Sequence, residues 1–170
     1  MEFCDTTLRA HITEHNNMLR FETRRRIALQ FVSGLNHLHN HGFLHRDISL
    51  QNVLIKQYDH GAVIVKLSDF GLLKDNGSTF TMSDTEMRGT IRDPLWTSFK
   101  DFDVSNEIYA AGVVLAFIFT GREGLPQDTV GVNEVIHKCT ILTASQRYAS
   151  VLEVIKDLES FSDSTTSATV

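Results

Sequence analysis

The chain has little of what would assign it to a special class. It holds two cysteines in 170 residues, Cys4 and Cys139, which are far apart and carry no CxxC spacing. Neither a disulfide framework nor a zinc site is read from them, and a reducing, cytoplasmic compartment fits that usage. Basic charge is not in surplus: 16 Lys and Arg against 21 Asp and Glu give a net charge of -5 and a pI of about 5.9. That balance leaves no electrostatic footprint for nucleic acid. Arg24-Arg25-Arg26 stands at the start of a helical pattern and reads as a solvated face. No apolar run is long. The most apolar one, residues 110–120, has eleven residues, against the roughly 18 a membrane span needs, and reads as a buried core helix. Residues 1–5 lack the basic-then-apolar order of a secretory signal, and no internal repeat is present. What remains is one domain with one core, with neither nucleic acid nor membrane expected as a partner.

The patterning predicts an α+β fold that is mainly α-helical. Residues 6–15 read as a short polar helix, and residues 21–41 as a longer one with Ile27, Phe31, Leu35 and Leu38 at helical spacing and Gly42 as its C′ glycine. His37, His39, His41 and His45 invite a metal reading. On a helix, however, His37 and His41 share a face that His39 does not, and no cysteine or carboxylate completes a site, so they read as structural histidines near a helix C-terminus. Short strands are expected at 43–44, 53–56 and 62–67, with a turn over 57–61. A central helix over about 104–120, capped near Ser105 and closed by Gly121, is apolar on every face, as a helix surrounded by protein must be. Ser150 and Glu153 form a capping box ahead of a closing helix whose Val151, Val154, Ile155 and Leu158 share one face. Residues 162–170 are low in apolar content and read as a disordered tail.

The chemistry is concentrated in His45-Arg46-Asp47-Ile48-Ser49-Leu50-Gln51-Asn52 and in Asp69-Phe70-Gly71, which begins seventeen residues past Asn52. An acid, an amide five residues later and a second acid make a phosphoryl-transfer constellation: a base for the attacking hydroxyl and two oxygen ligands for magnesium. Each motif adjoins an apolar strand-like run, which would place Asp47, Asn52 and Asp69 on loops held by paired strands.

HRDISLQN followed by KLSDFG resembles the catalytic loop and DFG segment of a protein kinase. The resemblance implies that Asp47 is the catalytic base, that Asn52 and Asp69 hold Mg2+, that ATP is the phosphoryl donor, and that Gly71 gives the turn after Asp69 its backbone freedom. It also implies a division of the chain. Residues 1–5 resemble the hinge between the family's two lobes, with Met1 as gatekeeper and the Glu2 carbonyl and Cys4 amide on the adenine edge. Residues 6–161 then correspond to the C-terminal lobe, with the catalytic loop at 45–52 and the activation segment at 69–95. Leu54 would form the floor beneath adenine, although a plain core leucine describes it equally. The family's Gly-rich loop, phosphate-gripping lysine and helix glutamate precede the hinge, so the chain is expected to be a lobe that is incomplete without its N-terminal partner.

Other matches and departures bear on activity. Thr79, Thr81, Ser83 and Thr85 lie in the activation segment, where Arg46 could hold a phosphorylated residue; a plain mobile loop is the alternative. Gly89-Thr90 resembles the GT that opens the family's peptide-docking loop and leans towards serine/threonine acceptors in a protein substrate. Asp93-Pro94-Leu95 loses the glutamate of the family's APE, so Arg147, which stands where its partner arginine is expected, should find another acid or lie open to water. Glu107 replaces an aspartate that anchors the catalytic loop. Ser49 replaces a lysine that steadies the γ-phosphate. Between Gly121 and the next helical pattern near Gly131 there is little room for the family's substrate-docking helix. A serine/threonine-type protein kinase lobe is the leading reading. A pseudokinase-like binding module and a kinase-like small-molecule phosphotransferase are its rivals.

Overall fold

The computed structural model describes residues 4–70 and 89–161. Over these the chain is mainly helical with one small sheet, the α+β class that the patterning predicts. The elements in order are β1 (Thr6–Thr7), α1 (Leu8–His15), α2 (Phe21–Asn40), β2 (Val53–Gln57), β3 (Val63–Leu67), α3 (Val104–Thr120), α4 (Val132–Thr140) and α5 (Val151–Ser160). The expected Gly71 turn, the candidate phosphorylation sites at 79–85, Met1, Glu2 and the tail at 162–170 lie outside the described residues.

The sheet is antiparallel in the order β1-β2-β3, with Thr7 opposite Leu54 and Val53 opposite Leu67. Val53 and Ile55 alternate inward along β2, the period that buries one face of a strand. Thr6 is therefore not helical, as the patterning had it. It pairs with Ile55 as an edge strand, and Thr7 both ends that strand and caps α1 by accepting from the Ala10 amide at 3.2 Å. The strand expected at 43–44 shrinks to a single bridge residue, Leu44.

α3 is the axis of the fold. Asp103 caps it, accepting from the Ser105 and Asn106 amides while Asn106 returns a bond to the Asp103 amide, so the cap lies two residues before the expected Ser105. α4 packs close against α3 at Gly112, where a Cβ would come within 2.5 Å of the Cys139 Cβ. Burial pushes the Cys139 thiol up to about 12, so it is an inert core residue. α2 lies against α3, α5 and β3, and Phe31, Leu35, Leu115, Ile118 and Leu158 share one core. The Ser150 hydroxyl accepts from the Glu153 amide, and the Glu153 carboxylate accepts from Ala149, one residue before the cap.

Arg24 overturns the expectation of a solvated basic triplet. It is buried, and its guanidinium donates to the carbonyl oxygens of Leu19, Asn16 and Ile118 and to Asn16 Oδ1. The Asn16 and Ile118 carbonyls lie at the ends of α1 and α3, whose last carbonyls have no partner within the helix and accept well from a cation, and Leu19 belongs to the connection from α1 to α2. A triplet read by composition averages over the one member that points inward. Gly121 is locked into the same junction, with φ of 67° and a Cβ position only 1.9 Å from Asn16 Oδ1.

Replacing Gly121 by alanine should therefore destabilise the fold by more than replacing Gly124, where φ is 104° and nothing lies within 4 Å. We expect roughly 1–2 kcal/mol for the backbone term alone at either site, with an additional loss at Gly121 from the displaced Asn16. Urea unfolding of the two variants measures the difference.

Candidate active site

The loop between α2 and β2 turns back on itself at Arg46, whose φ of 66° is unusual for a non-glycine residue. Its backbone amide donates to Glu107 Oε1 at 2.8 Å, and Glu107 Oε2 pairs with the His39 ring. The Glu107 side chain is fully buried and that of His39 nearly so. One carboxylate in the first turn of α3 therefore ties the end of α2 to the start of the loop. Burial lowers the Arg46 guanidinium's proton affinity and the Glu107 charge offsets part of that, while the guanidinium lies 5.9 Å from the centre of the Phe102 ring. His39, taken from sequence as a structural histidine near a helix C-terminus, is the residue that completes this anchor.

Past Arg46 the loop presents Asp47, half-buried. Asn52 Nδ2 donates to the Asp47 carbonyl at 2.9 Å and to Asp47 Oδ2 at 2.8 Å, and the Thr90 hydroxyl donates to Asp47 Oδ1. Both carboxylate oxygens of Asp47 are thus oriented by named donors. The Asn52 amide group has turned its donors towards Asp47, which leaves Oδ1 as the atom available to a cation. Thr90 had been read as part of a docking loop, and its contact with Asp47 was missed because it spans 43 residues of sequence.

Ser49 is buried, and its hydroxyl accepts from the Asn52 amide at 3.1 Å. The residue that departs from the lysine pattern therefore braces the loop. Ser68 donates from its amide and its hydroxyl to the Asn52 carbonyl at 2.9 and 3.0 Å, and the Ser68 carbonyl is engaged by His45 Nε2 at 3.0 Å. This cross-link places Asp69, exposed and with φ of 60°, one residue from the group that holds Asn52. The His45 and Phe70 rings are in contact at 5.4 Å, tilted by 49°. The structure thus bonds Asn52 to Asp47, and Ser68, the residue before Asp69, to the Asn52 carbonyl. Of the expected adenine contacts, Cys4 is half-buried before β1, and Leu54 is half-buried in β2 opposite Thr7.

On the far side, residues 89–95 are fixed to the same framework. The Ile91 amide donates to the Ile48 carbonyl at 3.0 Å. Asp93, two residues before Leu95, accepts from Arg147 through both carboxylate oxygens, from the Leu95 amide and from Asn106 Nδ2. Arg147 also donates to the carbonyls of Ile141 and Ser105 and lies over the Tyr109 ring at 5.0 Å. The acid expected near Arg147 is thus Asp93. Burial raises the Asp93 carboxyl's proton affinity, but the bonds from Arg147, Leu95 and Asn106 outweigh it and hold the group below the usual carboxylate range. Among the described residues no group of three His, Cys, Asp or Glu side chains converges as a metal cluster, and no helix is long and apolar enough to cross a membrane.

Residues 1–168 match the family model described as protein kinase domain. The chain is similar to the Sporulation protein kinase mde3 of Schizosaccharomyces pombe, 31% identical over 150 residues that cover 84% of this chain and 26% of that protein. It is similar to the Probable serine/threonine-protein kinase PknB of Lactococcus lactis, 31% identical over 185 residues, with 93% of this chain and 29% of that protein covered. It also resembles the Dual serine/threonine and tyrosine protein kinase of Gallus gallus, 34% identical over 112 residues that span 64% of this chain and 11% of that protein. The chain spans less than a third of the length of these curated relatives.

Asp93→Asn would leave Arg147 buried without its charge partner, and we expect a loss of about 3–5 kcal/mol in unfolding free energy at neutral pH. Because the folded carboxyl titrates below its ordinary value of 3.8, the stabilisation is fully present above that value and is lost as pH falls through the folded value. Unfolding curves across acid pH should show this loss in the parent and not in the variant.

Proposed function

This chain belongs to the protein kinase family, and from that membership we propose that it is the C-terminal catalytic lobe of a serine/threonine-type protein kinase, transferring the γ-phosphoryl of ATP to a protein hydroxyl. The observation that carries the proposal is Asp47 held from both sides, by Asn52 Nδ2 on Oδ2 and Thr90 Oγ1 on Oδ1. A carboxylate that is oriented and still half-exposed suits a base that must meet an incoming hydroxyl. As the acceptor oxygen bonds to the γ-phosphorus and the bond to the ADP oxygen breaks, Asp47 takes the hydroxyl proton. Thr90, sharing Oδ1 with that proton's path, positions the carboxylate and the acceptor.

Asn52 and Asp69 fit a magnesium ion by their donor chemistry. Asn52 has its N–H groups on Asp47 and its oxygen left over, and Asp69 is an exposed carboxylate one residue past the Ser68 cross-link. Magnesium takes one or two protein oxygens plus substrate phosphates, and when bound it neutralises charge on the β- and γ-phosphoryl oxygens. The adenine would rest on Leu54, against backbone groups of Glu2 and Cys4, and an N-terminal lobe outside residues 1–170 would supply the phosphate-gripping lysine. Two reduced cysteines accord with the cytoplasm as its compartment.

A second reading, a binding module without catalysis, is favoured by one observation: Ser49 is buried on the Asn52 amide, where the family pattern has a cation for the γ-phosphate. The two readings separate on Asp47. In the full-length protein containing this lobe, Asp47→Asn should lower phosphoryl transfer by at least about a hundredfold while leaving nucleotide binding nearly intact. Asp69→Asn should weaken magnesium-dependent nucleotide binding. A radiolabel transfer assay beside calorimetric titration with Mg-ATP checks both; equal turnover in the parent and Asp47→Asn proteins would favour the binding module.

A further inference from the structure

Residues 27–45 hold no lysine, arginine, aspartate or glutamate, and their ionisable groups are the imidazoles of His37, His39, His41 and His45. Two of these are already engaged. His39 pairs with Glu107, and His45 is buried with its Nε2 on the Ser68 carbonyl. His37 and His41 are instead exposed at the C-terminal end of α2, where His41 is the C-cap. Four residues apart on a helix, they lie one above the other on one face. Their ring centres are 4.4 Å apart, with the ring planes tilted by 48°.

The tautomer of His41 follows from its partner. Its Nδ1 lies 2.8 Å from the His37 carbonyl oxygen, and a carbonyl can only accept, so the neutral ring carries its hydrogen on Nδ1 and its lone pair on Nε2. A metal-ligating histidine is held in the same way, donating its other ring nitrogen to a carbonyl or carboxylate. Among the described residues no hydrogen bond engages the His37 ring, so either of its nitrogens can turn to the same ion. A second pair at this spacing shows the contrast. His11 and His15 stack at 4.6 Å, and His15 Nδ1 is on the His11 carbonyl at 2.9 Å. His11, however, is buried, and its Nδ1 faces the side-chain nitrogen of Gln57 at 3.1 Å. That nitrogen can only donate, so His11 Nε2 carries the hydrogen and the ring has no lone pair left for an ion.

We infer that His37 and His41 form a two-imidazole site for a divalent transition-metal ion of the zinc, nickel and copper class, with water in the remaining positions. Imidazole nitrogens suit these ions, whereas magnesium and calcium take oxygen ligands. Two histidines one helical turn apart present both rings to one zinc ion. In sequence the histidines look structural because no cysteine or carboxylate completes a ligand set, but two nitrogens on one face make a chelate that water can complete. The site uses no residue of the Asp47 site and stands whether or not Asp47 is a base. It reaches that loop through the helix. A bound ion ties residue 37 to residue 41 across the last turn of α2, which the His41, Gly42 and Phe43 amides close on the Leu38 and His39 carbonyls at 3.0 Å. Helix ends fray, and holding this one also holds His39 in place on Glu107.

The test is calorimetric titration of the full-length protein with zinc, and with copper, nickel and magnesium in parallel, for the parent and for His37→Asn, His41→Asn and His15→Asn. The parent should bind one more equivalent of zinc than either His37→Asn or His41→Asn, and His15→Asn should match the parent. Copper should take this position more tightly than nickel or zinc, and magnesium should not displace zinc from it. Hydrogen exchange of the parent keeps the test independent of how the variants fold: zinc should slow the amides of residues 41–43. Retention of the equivalent in both His37→Asn and His41→Asn, its loss in His15→Asn, or its displacement by magnesium overturns the site. So does zinc binding to the parent that leaves exchange at residues 41–43 unchanged.

Discussion

Glu107 is a carboxylate with no access to water, and the loop that carries Asp47 depends on how that burial is satisfied. A buried acid must be met by donors from the protein itself, because desolvation otherwise costs several kcal/mol. Here one oxygen takes the Arg46 amide and the other the His39 ring. Each donor belongs to a different part of the fold, so pairing the acid fixes α2, α3 and the loop together. The loop cannot relax away from its geometry without exposing or unpairing Glu107. In that sense the position of Asp47, one residue past Arg46, is set by a carboxylate that is itself shut off from solvent.

The second constraint sits at the other end of the same helix turn. Asp93 is joined to Arg147 and Asn106, and Ser105 supplies a carbonyl to the same arginine. The first turns of α3 therefore hold residues 45–52 through Glu107 and residues 89–95 through Asn106 and Asp93. Thr90 and Ile91 then close the circuit by bonding to Asp47 and Ile48. Two loops far apart in sequence are held by one helix whose remaining length is mostly apolar and buried, which is how a scaffold gives loop residues fixed positions.

Much of this was legible in the sequence because it is local. The spacing of Asp47 and Asn52 brings them into one turn, Gly121 and Gly42 end helices where a positive φ is needed, and the period of α5 shows its buried face. What was not legible depends on partners distant in the chain. Arg24 looks like its neighbours Arg25 and Arg26, neither of which is buried, until the ends of α1 and α3 converge on it. His39 looks like three other histidines until Glu107 faces it. The loss of glutamate at Leu95 called for another acid or water at Arg147 without saying which; the acid is Asp93, a shorter side chain two residues earlier that reaches the same guanidinium. Thr6 fell to the strand because pairing with Ile55 outweighs a weak local preference.

The strain in the site follows the same logic. Arg46 and Asp69 are the non-glycine residues with positive φ among those described, and such positions cost on the order of 1–3 kcal/mol each. They stand at the entry to the Asp47 loop and at the exit of β3. Each is adjacent to a dense set of bonds: the Arg46 amide on Glu107, and Ser68 on both the Asn52 carbonyl and His45. The bonds offset the strain, and the strain in turn points the chain so that Asp47 and Asp69 follow directly after tightly held backbone. A loop built from relaxed conformations would not need these anchors and would not be held by them. The cross-links that maintain two unfavourable φ values are therefore the same ones that give the candidate base and the candidate metal ligands a defined separation.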